Sequence, residues 1–304
     1  MAVISRSGNA HRASGGHELF SLLGSHVSPL AVPTVYLDTS VVSWVEAGKI
    51  PKNDWEEVLD FIRRWAHHAV SLTTMCELMA GLAYGSENEF IRFRDRFKLL
   101  LVGTQSTFLP LTGEFVRSRV FGLPTSRPEF DPEILRRWLP VITRARTRRD
   151  MESGVVSLGP HDNWTFGVNL RLVKRQILKG KAAYIRRLKH LRESHPGPLP
   201  VERWASGMVS VLKLDLTLEN RQRVQSVLDA VYRHDVWMRK NASNKGFNFK
   251  KNASAWLDSS QLNYLADPTF VFVTTDGRLI DSLAGSVQRS RVLSFSDLLR
   301  MASV

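Results

Sequence analysis

Thr34-Val-Tyr-Leu-Asp-Thr-Ser40 carries a carboxylate, Asp38, at the end of a short apolar run and then changes period. Residues 34–37 read as a buried strand, and Thr39-Ser-Val-Val-Ser-Trp44 reads as the start of a helix. Asp38 is therefore expected at the carboxyl end of a strand, where open α/β sheets bind their ligands. Thr269-Phe-Val-Phe-Val-Thr-Thr-Asp276 repeats the arrangement near the other end of the chain, with Gly277 and an apolar helical pattern after it. If these two strands run parallel and adjacent, Asp38 and Asp276 meet across most of the sequence.

Between them the chain first continues as α/β. A helical pattern covers Asp54 to Ala66, Ala69 to Thr73 reads as a second strand, and Thr74-Met-Cys-Glu77-Leu opens a helix, placing a third acid just past a strand. Phe90 to Leu101 is helical, Thr107 to Thr112 reads as a strand, and a helix is expected from Gly113 to about Phe121. Leu123-Pro-Thr-Ser-Arg-Pro128 breaks the alternation. Helical patterns then follow at Asp131–Arg149, Asn169–Leu191 and Leu218–Arg239, with His195-Pro-Gly-Pro-Leu-Pro200 among the breakers. From Ser254 the α/β pattern returns, with a helix opened by Trp256-Leu-Asp258, the Asp276 strand, a helix at Ile280–Ala284 and a last strand, Arg291–Phe295. Ser296-Asp297 is expected to cap a terminal helix. The expected organisation is a tail (1–32), a core in two parts (33–122 and 254–304) and a mostly helical insertion (123–253). The tail shares its composition with organelle transit peptides but has no amphipathic helix, and reads as loose.

Composition narrows the function. The 304 residues are 43% hydrophobic and carry a net charge of +13, as a globular protein with a polyanionic partner would. The charge is concentrated: residues 111–250 hold 27 Lys and Arg against 13 Asp and Glu. Apolar runs such as Phe97–Val102 fall short of the roughly 20 residues that cross a bilayer, so no membrane partner is expected. The single cysteine, Cys76, rules out an internal disulfide and a Cys-based zinc site and suits a reducing, cytoplasmic compartment. It reads as a core residue, and His67-His68 and His161-Asp162 read as surface or capping residues. The insertion ends in Arg239-Lys240-Asn-Ala-Ser-Asn-Lys245-Gly-Phe247-Asn-Phe249-Lys250-Lys251. Phenylalanines among cations suit stacking on unpaired bases and neutralising phosphates; a solvated loop with two anchoring aromatics has the same composition.

Four acids thus end core elements: Asp38, Glu77, Asp258 and Asp276. Each has a structural alternative. Asp38, Asp258 and Asp276 can cap helices, and Thr74-Met-Cys-Glu77 fits a capping box. Gathered at one sheet edge, however, carboxylates repel one another unless a cation is bound. Oxygen-only ligands suit Mg²⁺ or Mn²⁺, which can activate water for phosphodiester cleavage.

Tyr-Leu-Asp38-Thr-Ser, Thr-Thr-Met-Cys-Glu77-Leu, the Asp258 helix and Phe-Val-Thr-Thr-Asp276-Gly-Arg-Leu, in that order, resemble the PIN-domain ribonucleases. The 18-residue step from Asp258 to Asp276 is similar to the spacing in that family. The resemblance covers residues 33–122 and 254–300. It implies a three-layer Rossmann-like sheet and Mg²⁺- or Mn²⁺-dependent endonuclease activity on RNA, with Asp38, Glu77, Asp258 and Asp276 as metal-binding acids and Ser40 and Thr275 as polar support. It also implies an antitoxin-like inhibitor as a partner, as for the toxins of the family, or a role in RNA processing; a homodimer is left open. Two departures stand out: the chain is much longer than stand-alone toxins, and 181 positions separate Glu77 from Asp258. Asp281 is an additional ligand or a surface or capping charge.

Two other classes compete. A non-catalytic RNA-binding protein would keep the fold and bind without metal. A phosphatase resembling the haloacid dehalogenases would use Asp38, Thr73 and the Asp276/Asp281 pair, but Ser40 stands where that family usually has a second acid, and Glu77 and Asp258 are left without roles. There is no Gly-x-Ser-x-Gly elbow, phosphate loop or His-Glu-x-x-His pair.

Overall fold

The computed structural model describes residues 18–22, 31–82, 86–101, 107–124, 133–155, 165–194 and 199–304. Five strands, β1 (Thr34–Leu37), β2 (His67–Ser71), β3 (Thr107–Leu109), β4 (Phe270–Thr274) and β5 (Val292–Ser294), form one parallel sheet in the order β3-β2-β1-β4-β5. The side-chain period of two sorts each strand between the sheet's faces. Val35, Leu37, Val70, Val271, Val273 and Leu293 join one hydrophobic cluster. Tyr36, Ala69, Phe270, Phe272 and Val292 join another, in which Tyr36 stacks on Phe272 at 4.7 Å. A parallel sheet buried on both faces is why these strands read as continuous apolar runs.

Helices cover both faces. The first cluster takes in α1 (Thr39–Glu46), α2 (Lys52–Trp65), α3 (Leu72–Leu82), α4 (Glu87–Leu101) and the C-terminal helix, Phe295–Ala302. The second takes in α5 (Thr112–Phe115), which runs on as a π-helical turn at Val116–Val120.

The segment between β3 and β4 is helical: α6 (Glu133–Arg144), α7 (Arg148–Ser153), α8 (Phe166–Ser194), α9 (Val201–Val211), α10 (Leu218–Val227) and α11 (Asp229–Ala242). Its side chains enter both core layers. Trp138, Ile142, Met151, Phe166 and Leu170 join the first cluster, while Trp204, Val209, Val224 and Val231 join the second. The segment therefore packs as part of the layers and not as an appendage. The chain closes with α12 (Ala255–Leu262), a 3₁₀ turn at Asn263–Ala266, α13 (Gly277–Ser282) and α14, the Phe295–Ala302 helix.

Several local expectations need correction. β2 starts two residues early and ends at Ser71, whose hydroxyl accepts the Thr74 amide at 2.9 Å. Thr73 and Thr74 therefore lie inside α3. The expected helix 218–239 is two helices meeting at Leu228, and α9 has no counterpart among the expected elements. Ser294, not Ser296, caps α14, with Asp297 completing the capping box. His68 is not a surface residue: it is a buried residue of β2, and burial pushes its pKa down to about 4. Within the tail, Leu19 is buried in the first cluster and Glu18 pairs with Arg300 at 3.5 Å. Residues 1–17 and 23–30, and His161-Asp162, lie outside the described residues. Among the described residues no helix is long and apolar enough to cross a membrane.

Candidate active site

The sheet reverses its winding between β1 and β4, the crevice position at which open α/β sheets bind ligands. Asp38 leaves β1 there, its amide donating to the Val273 carbonyl at 2.9 Å. Although Asp38 occupies the N-cap position of α1, it makes no side-chain cap bond. The hydroxyls of Ser40 and Thr274 donate to its Oδ2 at 2.5 and 2.8 Å. The Thr39 hydroxyl and the Gln261 amide approach its Oδ1 at 3.3 and 3.4 Å. Asp38 is 5% exposed, and this burial outweighs the hydroxyl donors, so its pKa is raised.

Glu77 stands in the second turn of α3. Ser71 caps that helix, so Glu77 is not part of a capping box. Its Oε2 accepts the Thr39 hydroxyl at 3.0 Å. Burial, with the charge of Asp38 adding to it, pushes its pKa up to about 7, against Lys181. Asp258 lies in the first turn of α12 and is no cap: the N-cap position there belongs to Ser254. Its pKa is raised well above the usual carboxylate range by burial, then by the charges of Asp38, Glu77 and Asp276, with Arg278 acting the other way. The other three acids thus all bear on Asp258.

Asp276 does cap a helix. Its Oδ1 accepts the Arg278 and Leu279 amides at 2.9 and 3.4 Å, and the Arg278 Nε lies 3.6 Å from the same oxygen. Its own amide donates to the Thr274 hydroxyl at 3.0 Å. Asp281 is exposed on α13, apart from these contacts.

The supporting residues differ from those expected. Ser40 touches Asp38, but Thr275 contributes its backbone amide, which donates to Ser40 Oγ at 3.1 Å. Thr274 supplies the hydroxyl instead. Pairing of Tyr36 with Phe272 makes this legible: two residues on, Asp38 and Thr274 share a face. Gln261, fully buried, links Asp38 to the Thr74 hydroxyl, which donates to its Oε1 at 3.1 Å; it lies three residues after Asp258 on one helix face. Thr39, directly after Asp38, carries no signal beyond its position.

Helices of the β3–β4 segment wall the site. Lys181 and Tyr184 lie on α8; Tyr184 is raised by burial, then by Asp235, with a smaller contribution from Asp258. His234 on α11 bonds Ser282 at 2.8 Å and is pushed down to about 4, mainly by burial. Among the basic residues expected to meet RNA, Arg239 is paired with Asp235 at 3.1 Å. Lys240, Lys245, Lys250 and Lys251 are exposed. Phe247 and Phe249 pack edge to face at 5.1 Å against Leu188, Met238, Ala242 and Ala255, with the Arg192 guanidinium 5.7 Å from the Phe249 ring. Burial pushes the Cys76 thiol up to about 12, which leaves it protonated and poorly nucleophilic.

As placed, no set of three or more His, Cys, Asp or Glu side chains among the described residues forms a metal-holding group. The chemistry of the donor set nevertheless fits a hard divalent cation. The donors are carboxylates and hydroxyls, three of the acids are pushed toward their neutral forms, and among the described residues neither Asp38, Glu77 nor Asp258 has a salt-bridge partner. No family model, curated protein or solved structure matches the chain.

Proposed function

We propose that the chain is a metal-dependent endoribonuclease of PIN type. The observation that carries this reading is geometric: at the sheet's switch point the Thr39 hydroxyl lies between Asp38 and Glu77, and the Thr274 hydroxyl ties Asp38 to the amide of Asp276; the charges of all three bear on Asp258. Asp38, Glu77 and Asp258 are drawn out of water with no salt-bridge partner of their own among the described residues; charging such carboxylates costs on the order of several kcal/mol per ion, a cost that a bound Mg²⁺ or Mn²⁺ would offset.

Asp38, Asp258 and Asp276 would hold the ion. Glu77, with a pKa near 7, is suited to orient a water and to accept its proton near neutral pH. A Mg²⁺ or Mn²⁺ held there would supply Lewis-acid polarisation of the scissile phosphate and of a nearby water. Ser40, Thr39, Thr274 and Gln261 fix the orientation of Asp38 through its four contacts. Cleavage would leave a 3′-hydroxyl and a 5′-phosphate. The net charge of +13 and the exposed lysines between 240 and 251 favour RNA as substrate. A reducing cytoplasmic setting, and control by an antitoxin-like inhibitor, belong to the same proposal. The phosphatase alternative gains no support, because Thr73 lies within α3 beside Tyr264 and Asp281 is exposed.

The test is cleavage of labelled single-stranded RNA, structured RNA and DNA with Mn²⁺ or Mg²⁺, comparing wild type with Asp38→Asn and Asp276→Asn. RNA cleavage that needs metal and is lost in both variants is expected. Metal-independent binding without cleavage, alike in all three proteins, would overturn the nuclease reading in favour of a binding protein.

A further inference from the structure

A pocket of about 530 Å³ opens beside the acid cluster, between the C-terminal end of α11, the loop that follows it, and Arg278 of α13. Its volume lies within the roughly 300–1,000 Å³ of small-ligand sites. Arg278 belongs to both places: it lines the pocket, and its Nε lies 3.6 Å from Asp276.

The lining has an unusual composition. Asn241, Asn244, Asn248 and Asn252 supply four amide side chains, Lys251 and Arg278 supply positive charge, and no acid lines the pocket. The amides are only partly used within the protein. Asn241 and Asn252 each donate to a backbone carbonyl at 2.8 Å, which leaves their side-chain oxygens as acceptors. Asn248 accepts the Lys251 amide at 3.0 Å with its side-chain oxygen, which leaves its amino group as donor. Asn244 makes no side-chain hydrogen bond among the described residues. Donors and acceptors therefore line one pocket, as the edge of a nucleobase requires. Trp237 supplies a flat wall, lying nearly parallel to the His234 ring (14°, centroids 6.3 Å apart).

We infer that this pocket receives one unpaired base of the RNA strand, next to the scissile phosphate, and gives the nuclease its base preference. The base lies against Trp237 and pairs its edge with the asparagines, while its phosphate faces Lys251 and Arg278. The inference rests on the nuclease reading for its biological meaning, but its test does not need cleavage.

The full chain in EDTA is titrated calorimetrically with the 5′-monophosphates of adenosine, guanosine, cytidine and uridine, and with ribose 5-phosphate. At least one nucleotide is expected to bind tenfold or more tightly than ribose 5-phosphate. Asn244→Ala should weaken that nucleotide roughly five- to tenfold, the loss of about one hydrogen bond, and leave ribose 5-phosphate unchanged. Lys251→Ala should weaken both. Equal binding of ribose 5-phosphate and all four nucleotides, no nucleotide binding, or an unaffected Asn244→Ala would overturn the inference. RNA cleavage without nucleotide binding refutes the pocket alone; nucleotide binding without RNA cleavage refutes the nuclease reading alone.

Discussion

Asp38 and Glu77 converge on one hydroxyl: Thr39 Oγ1 lies 3.3 Å from Asp38 Oδ1 and 3.0 Å from Glu77 Oε2. A hydroxyl has one proton and two lone pairs, so Thr39 either shares its proton between two carboxylates or donates to Asp38 while accepting from protonated Glu77. The two acids come from different strand–helix junctions, and Thr39 fixes their separation. Thr39→Val keeps the shape and removes this link. Mn²⁺ affinity should fall roughly 10- to 100-fold, as for other residues that orient metal ligands, with an unchanged circular dichroism spectrum. Unchanged affinity would show that Thr39 only fills space.

The raised pKa of Glu77 gives a stability prediction with a definite sign. Its carboxyl moves from 4.5 up to about 7 on folding, so between these values the folded chain binds more protons than the unfolded one. Stability contributed by Glu77 is therefore present below about pH 4.5 and lost as pH rises through about 7. The shift corresponds to on the order of 3 kcal/mol. In metal-free buffer Glu77→Gln should match wild type near pH 4.5 and be the more stable protein at pH 8 by thermal melting. Saturating Mn²⁺ should remove that advantage. Parallel melting curves at all pH values would contradict the shift.

Close packing beside the site yields a third prediction. A Cβ at Gly180 of α8 would lie 2.7 Å from Cζ2 and 2.8 Å from Cη2 of Trp256, two residues before Asp258. The indole is a rigid ring, so Gly180→Ala should push against α12 and cost roughly 1–3 kcal/mol, as overpacking does, despite alanine's better helix propensity. Urea unfolding measures it; a stabilised variant would show that Trp256 has room to turn.

Lys250 and Lys251 are exposed at the end of the β3–β4 segment. If each neutralises a phosphate of single-stranded RNA, replacing both with Ala should flatten the slope of log K against log salt by about 1.4 without altering Mn²⁺ binding. An unchanged slope would remove them from the RNA path.

Much of this arrangement is legible in the sequence because burial on both faces makes parallel strands continuous and apolar. Thr34–Leu37 and Phe270–Thr274 could be bounded almost to the residue, and the register that pairs Tyr36 with Phe272 puts Asp38 beside Thr274. The family resemblance implies Thr275 as the polar support, but strand alternation sends its neighbour Thr274 to Asp38. Ser71 shifted the start of α3 because a hydroxyl cap can outrank β propensity at Leu72 and Thr73. Two features carried no local signal. Gln261 reaches Asp38 only through tertiary packing, and the helices of residues 133–242 fill both layers of a core whose strands lie far away in sequence.

The most direct test of the central claim, that Asp38, Asp258 and Asp276 hold one cation beside Glu77, is a Mn²⁺ titration followed by electron paramagnetic resonance. Wild type, Asp38→Asn and Asp258→Asn are compared near pH 7.5, with thermal melting to confirm that each is folded. Saturable Mn²⁺ binding to wild type, lost or weakened at least tenfold in both folded variants, is the predicted result. No binding to wild type, or equal binding in all three, would contradict the account.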